Sequence, residues 1–127
     1  MGVVRVFRTK AFGRFQRKEH IDDKALLAAV TRAERGLIDA RLGGCLVKQR
    51  VARPGEGRSG GFRTVIAYRS RARAVFLYGF AKSRQENISM ADERDLQDYG
   101  AMILDLDDVG IATMIAGNEL KEVRSDG

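Results

Sequence analysis

Apolar positions recur along this chain with two different periods. Val3-Val4-Arg5-Val6-Phe7 is rich in β-branched residues and predicts a first strand. Thr9 stands where it can cap a following helix, with Phe12 and Phe15 on one face. After Asp22-Asp23, a pair suited to N-capping, Leu26, Leu27, Val30, Ala33 and Leu37 recur at helical spacing. Gly36 is a break in that second helix and Gly43-Gly44 its outer limit. Leu46 to Val51 alternates as a strand, and the glycine-rich stretch from Ala52 to Gly60, with Pro54, predicts a loop. Phe62–Arg69 and Ala74–Phe80 are two further strands, joined as a hairpin across Ser70-Arg71-Ala72-Arg73. Ser89-Met90-Ala91-Asp92 fits the serine-x-x-acid capping pattern, and Leu96, Tyr99, Met102, Ile103 and Leu106 form one stripe behind it. Asp107-Asp108 opens a last short helix that Gly117 ends, and Leu120–Val123 adds a small terminal strand. The order β-α-α-β-β-β-α-(α) predicts an α+β fold: a small antiparallel sheet with an N-terminal helical hairpin and C-terminal helices packed on one face.

A chain of 127 residues is expected to form a single domain, 1–127. No apolar run approaches the roughly 20 residues of a membrane helix, and the first residues lack the apolar stretch of a signal peptide. Met1-Gly2 is followed by Val6 where a myristoylation motif has Ser or Thr, so the expected location is the cytoplasm. Cys45 is the single cysteine and His20 the single histidine, which removes disulfides and soft-ligand zinc sites from consideration. Cys45 reads as a buried thiol at a strand start, His20 as a surface residue in a polar stretch. No cofactor and no metal are expected.

Charge changes the picture more than composition does. The net +6 is divided unevenly: residues 1–47 carry +5, residues 48–84 carry +9 and residues 85–127 carry −8. The middle segment holds ten Lys and Arg against the single acid Glu56. Such a split predicts a middle that binds a polyanion and an acidic C-terminal third. Alternation places Lys48 and Arg50 on one face of their strand. In the next strand it places Arg63, Val65, Ala67 and Arg69 opposite Phe62, Thr64, Ile66 and Tyr68. Phe62 and Ile66 suit the core, which leaves the Arg63 face open. Arg53 and Arg58 in the loop, and Lys82 and Arg84 beyond the last strand, complete the cluster. Arginine binds phosphate bidentately and lysine acts as a point charge. A solvated basic sheet face that guards against aggregation is the bland alternative for any one of these residues.

RNA as the ligand fits the lack of other catalytic groups, because it brings its own nucleophile, the 2′-hydroxyl. The protein must orient that group, remove a proton and stabilise charge on the phosphate. Arg50 and Arg63 are the candidate phosphate clamps. Lys48 is a base only if its pKa falls by roughly three units from about 10.4, at a cost of about 4 kcal/mol. Lys82 is the other candidate, and Tyr78 is able to donate or stack.

The run Lys48-Gln49-Arg50-Val51-Ala52-Arg53-Pro54-Gly55-Glu56-Gly57-Arg58-Ser59-Gly60-Gly61-Phe62-Arg63-Thr64 resembles the Gp49-like, phage-derived branch of the RelE/ParE toxin superfamily. So do Val75-Phe76-Leu77-Tyr78-Gly79-Phe80-Ala81-Lys82-Ser83, Asn87-Ile88, Ala33-Glu34-Arg35-Gly36-Leu37 and the stretch from Gly117 to Val123. The resemblance implies a toxin of a type II toxin–antitoxin module that inhibits translation by metal-independent, ribosome-dependent mRNA cleavage. Its partners would be mRNA on the ribosome and a cognate antitoxin, often a helix-turn-helix protein encoded nearby. A gyrase-poisoning or non-catalytic binding toxin of the same fold is the alternative. By the same resemblance Lys48, Arg50, Arg63 and Lys82 match catalytic basic positions. The family's further arginine falls near Ser83, beside Arg84, and its late catalytic tyrosine near Ser89.

Overall fold

Strand β1 (Arg5–Thr9) runs directly into helix α1 (Lys10–Lys18), because the Thr9 side chain accepts a hydrogen bond from the Phe12 N–H at 3.2 Å. A computed structural model describes residues 4–52, 61–81 and 88–125. Helix α2 (Asp23–Glu34) is capped by Asp22, and Gly36, at φ +83°, ends it where a side chain would be strained. The chain then forms β2 (Ala40–Arg41), β3 (Leu46–Val51), β4 (Phe62–Arg69) and β5 (Arg73–Ala81). Helix α3 (Met90–Leu104) is capped by Ser89 and α4 (Asp108–Ala116) by Asp107, before β6 (Leu120–Val123) closes the order. The capping residues that the sequence suggested at Thr9, Asp22, Ser89 and Asp107 all occupy that role. The expected loop from Ala52 to Gly60 lies, from residue 53 on, outside the described residues.

The fold is α+β, with differences from the expected arrangement. Six strands lie in the order β2-β3-β4-β5-β1-β6, and β1 pairs with β5 in parallel, while the other pairings are antiparallel. The helices do not share one face. Phe12, Leu26, Ala29 and Val30 of α1 and α2 pack on Val47, Val51, Phe62, Ile66 and Phe76. On the opposite face Ile103, Leu104 and Ile111 of α3 and α4 pack on Leu46, Val65, Ala67, Val75 and Leu77. Two-sided burial explains the unbroken apolar run Ala74-Val75-Phe76-Leu77, every member of which is buried.

Two glycines set the spacing of these layers. A Cβ on Gly79 would stand 2.3 Å from the Phe15 ring, so α1 sits directly on β5 only because that position is bare. A Cβ on Gly100 would stand 2.7 Å from the Ala67 Cβ, so α3 can lie close along β4. Phe15 also meets Phe62 edge-on, with ring centroids 5.5 Å apart. Elsewhere the pattern is too generous: Leu37 and Met102 are 60% and 44% exposed rather than core, and Gly100 and Leu104 join the expected Ile103 as the buried residues of α3. Cys45 is half-buried, and burial pushes its thiol pKa up.

Replacing Gly100 with alanine tests the close approach. Alanine gains about 1 kcal/mol of helix propensity over glycine. Overpacking against the fixed Ala67 methyl typically costs about 1–3 kcal/mol. Urea unfolding of Gly100→Ala is therefore expected to show a lower midpoint, and a higher midpoint would mean that α3 does not press on β4 here.

Candidate functional site

The α3/α4 face of the sheet is not covered along its whole length. Pairing registers run Lys48–Val65–Tyr78 across β3, β4 and β5, and Arg50–Arg63–Phe80 one step further along. Lys48 and Arg50 alternate with Leu46, and Arg63 with Val65, both of which belong to the α3 side of the core. The structure thus brings Lys48, Arg50 and Arg63 together on one face of two adjacent strands, a convergence that alternation within each strand left open and the register decides. On the same face α3 packs on Val65 and Ala67. All three cations are half-buried.

Tyr78 joins the row through a local irregularity. Val65 pairs with Tyr78 but Ile66 pairs with Phe76, so Leu77 is an extra residue in β5. This bulge reverses the alternation beyond it. Gly79 therefore faces Phe15 of α1, while Tyr78 and Phe80, with ring centroids 5.9 Å apart, turn to the α3 side. Tyr78 remains 37% exposed there. Arg53, Arg58, Lys82 and Arg84 lie outside the described residues.

The backbone beneath Arg50 is fixed from the sheet edge. Just before β2, the Asp39 carboxylate accepts the Arg50 N–H at 2.6 Å, and the Arg32 guanidinium donates to the Arg50 carbonyl. Gln49, fully buried on the other face, accepts the Asp39 N–H at 2.7 Å and donates to the Ala29 carbonyl at 3.0 Å. These side-chain bonds replace the missing strand ladder and tie β3 to α2.

Electrostatically the row is unbalanced. Arg50 and Arg63 stand directly opposite one another, an arrangement that costs stability between like charges. Among the described residues none of Lys48, Arg50 and Arg63 makes an ion pair. The Arg63 Nη1 is shielded from solvent and has no hydrogen-bond partner among those residues. A buried guanidinium nitrogen without an acceptor is costly, and an anionic oxygen in the row would satisfy it.

The remaining described cations of the basic middle do different work. Arg73 donates through Nη1 to the carbonyls of Ile103, Leu104 and Leu106 at 2.7, 3.3 and 2.9 Å. Arg69 donates to the Leu104 carbonyl at 3.0 Å and the Asp105 carboxylate at 2.9 Å. Both guanidiniums thus serve the C-terminus of α3, where the helix dipole favours positive charge. The positive-φ residue Arg71 holds the hairpin turn, and its N–H reaches the Glu34 carboxylate at 3.2 Å. Glu34 also accepts from the Tyr68 hydroxyl, whose pKa is raised by burial and by that bond. Sequence reading counted these arginines in the anion-binding charge. Their position next to the tight turn, at the end opposite Arg63, was the signal that could have separated them.

Ser89 does not stand free where the resemblance places a tyrosine: its Oγ accepts the Asp92 N–H at 3.1 Å as the cap of α3. Tyr99 is half-buried on α3, with its phenol pKa pushed up by burial. His20 is exposed. Among the described residues no group of His, Cys, Asp or Glu is arranged to hold a metal, and no helix is long and apolar enough to cross a membrane.

These features define an α+β domain with helices on both faces of its sheet and three half-buried cations together at one end of it. The family model for the RelE toxin of the RelE/RelB toxin–antitoxin system matches residues 4–123. The chain belongs to the RelE toxin family and is the toxin partner of a toxin–antitoxin pair. That match does not separate the Gp49-like branch from the rest of the family. A search of curated proteins finds no match.

The two groups of arginines should respond differently to truncation. Arg73→Ala strips charged hydrogen bonds from the end of α3 and is expected to lower stability by about 1.5–3 kcal/mol. Arg63→Ala relieves repulsion with Arg50 and is expected to leave the denaturation midpoint unchanged or raised, within about 0.5 kcal/mol. Equal losses in the two variants would place Arg63 in the structural group instead.

Proposed function

We propose that this toxin arrests translation by cutting mRNA on the ribosome, with the scissile phosphate held on the Lys48–Arg50–Arg63 row. The observation that supports the reading is the row itself: Arg50 directly opposite Arg63 with Lys48 beside them, none of the three in an ion pair among the described residues. Membership of the RelE family supports the same reading. In this chemistry the 2′-hydroxyl oxygen bonds to phosphorus and the bond from phosphorus to the 5′-oxygen breaks. The products are a 2′,3′-cyclic phosphate and a 5′-hydroxyl end. Arg50 and Arg63 neutralise charge on the phosphoryl oxygens as it builds. Lys48, the lysine of the row, is assigned the 2′-hydroxyl proton, and Lys82, next in sequence after β5, supplies further positive charge. Arg53, Arg58 and Arg84 bind flanking phosphates, and Tyr78 stacks on a base. The cognate antitoxin is a helix-turn-helix protein encoded nearby, and both act in the cytoplasm.

The use of Ser89 as a helix cap favours a second reading, because it leaves the family's late tyrosine position without a free proton donor. In that reading the same face binds without cutting, and the target is DNA gyrase. Induced expression followed by mapping of transcript 5′ ends separates the two. Cleavage is expected within translated frames, and Arg63→Ala should reduce it by about 10²–10³-fold, the usual effect of losing a charge-stabilising contact. Growth arrest with intact transcripts and relaxed plasmid DNA would overturn the nuclease reading and establish the second.

A further inference from the structure

Immediately beside the cation row, Tyr78, Ile88, Asp92, Asp95 and Leu96 line, among the described residues, an open cavity of about 210 Å³. Ile88 and Leu96 give it apolar walls, and the exposed ring of Tyr78 forms one side. Asp92 and Asp95 lie three residues apart on α3 and so share a helix face. Neither carboxylate forms an ion pair among the described residues. Two carboxylates repel a phosphate backbone, so whatever enters this cavity must present hydrogen-bond donors to them and a flat apolar face to Tyr78. A nucleobase with an exocyclic amine meets both requirements.

We propose that this cavity receives one base of the RNA lying on the Lys48–Arg50–Arg63 row and selects bases that carry an exocyclic amine. The inference rests on the RNA reading above and adds its specificity element. Tyr78 stacks on the base, as aromatic side chains do on splayed single-stranded RNA. Asp92 and Asp95 accept from the amine, as acidic side chains accept from the cytosine N4 amino group. Uracil has a carbonyl where cytosine has that amine and would face the carboxylates oxygen to oxygen. Tyr78 lies two strands from Lys48, about 10 Å across the sheet, a span that a nucleotide or two can bridge.

The test uses the full chain and fluorescently labelled 2′-O-methyl hexamers of cytosine and uracil, which resist cleavage and differ in the amine. Anisotropy titrations at low salt are expected to give the cytosine hexamer about tenfold tighter binding, the usual discrimination of one good base contact. The double variant Asp92→Asn, Asp95→Asn should lose or reverse that preference while still binding the uracil hexamer at least as well, since two repelling charges are gone. Equal wild-type binding of both hexamers, abolished by Arg63→Ala, would overturn the base pocket and leave the phosphate row standing. Failure of wild-type protein to bind either hexamer would overturn the RNA reading and the pocket with it.

Discussion

The hydrogen bonds from Arg73 and Arg69 to the last carbonyls of α3 hold the layer of the structure on which the candidate site depends. Arg73 alone reaches three carbonyls, and Arg69 adds a carbonyl and a carboxylate. Together they anchor the helix C-terminus over the β4–β5 hairpin. From there α3 lies along β4 at the approach Gly100 permits, covering Val65, Ala67 and Leu77. Its N-terminal turn reaches the other end of the sheet beside Tyr78 and supplies Asp92 and Asp95. Lys48, Arg50 and Arg63 lie on this same face of the sheet, at the end away from the hairpin. The same residue type thus stands in two surroundings on this face, bonded to helix carbonyls at the hairpin end and without an ion pair among the described residues at the other.

A second constraint comes from β5. Its one-residue bulge turns Tyr78 and Phe80 to the α3 side and Gly79 to α1. Unbroken alternation would place Tyr78 under α1 and direct Gly79 at the cation row. Meanwhile Asp39, Arg32 and Gln49 hold the backbone of β3 from its edge, so the Arg50 side chain projects from a fixed strand. Preorganisation of this kind lowers the cost of positioning cations around a phosphate. The opposed Arg50 and Arg63 spend some stability to achieve it.

Much of this was legible in the sequence wherever the deciding chemistry is local. Thr9, Asp22, Ser89 and Asp107 announce helix starts because a short oxygen-bearing side chain can satisfy a nearby N–H. Period-two alternation likewise places Lys48 and Arg50 on one face of their strand, while the register of β3 against β4 decides that Arg63 shares it. What could not be read locally is what covers that face. The run Ala74-Val75-Phe76-Leu77 carried a sign of two-sided burial, but a buried strand and a half-exposed one differ by contacts from distant helices. The bulge is equally non-local, since it is defined by register against β4. Counting charge groups Arg69 and Arg73 with Arg50 and Arg63, because an arginine bonded to helix carbonyls and one without such partners look alike in sequence. Leu37 and Met102 fit the helical period and still face solvent, because α2 ends at Glu34 and the packed stripe of α3 runs through Gly100.

The central claim is that Arg50 and Arg63 form the anion face whereas Arg69 and Arg73 belong to the fold. Arginine Nε–H resonances report on each guanidinium separately. Titration with a non-cleavable 2′-deoxy oligonucleotide should shift the Arg50 and Arg63 signals and leave those of Arg69 and Arg73 in place. Shifts centred on Arg69 and Arg73, with Arg50 and Arg63 unmoved, would contradict the account.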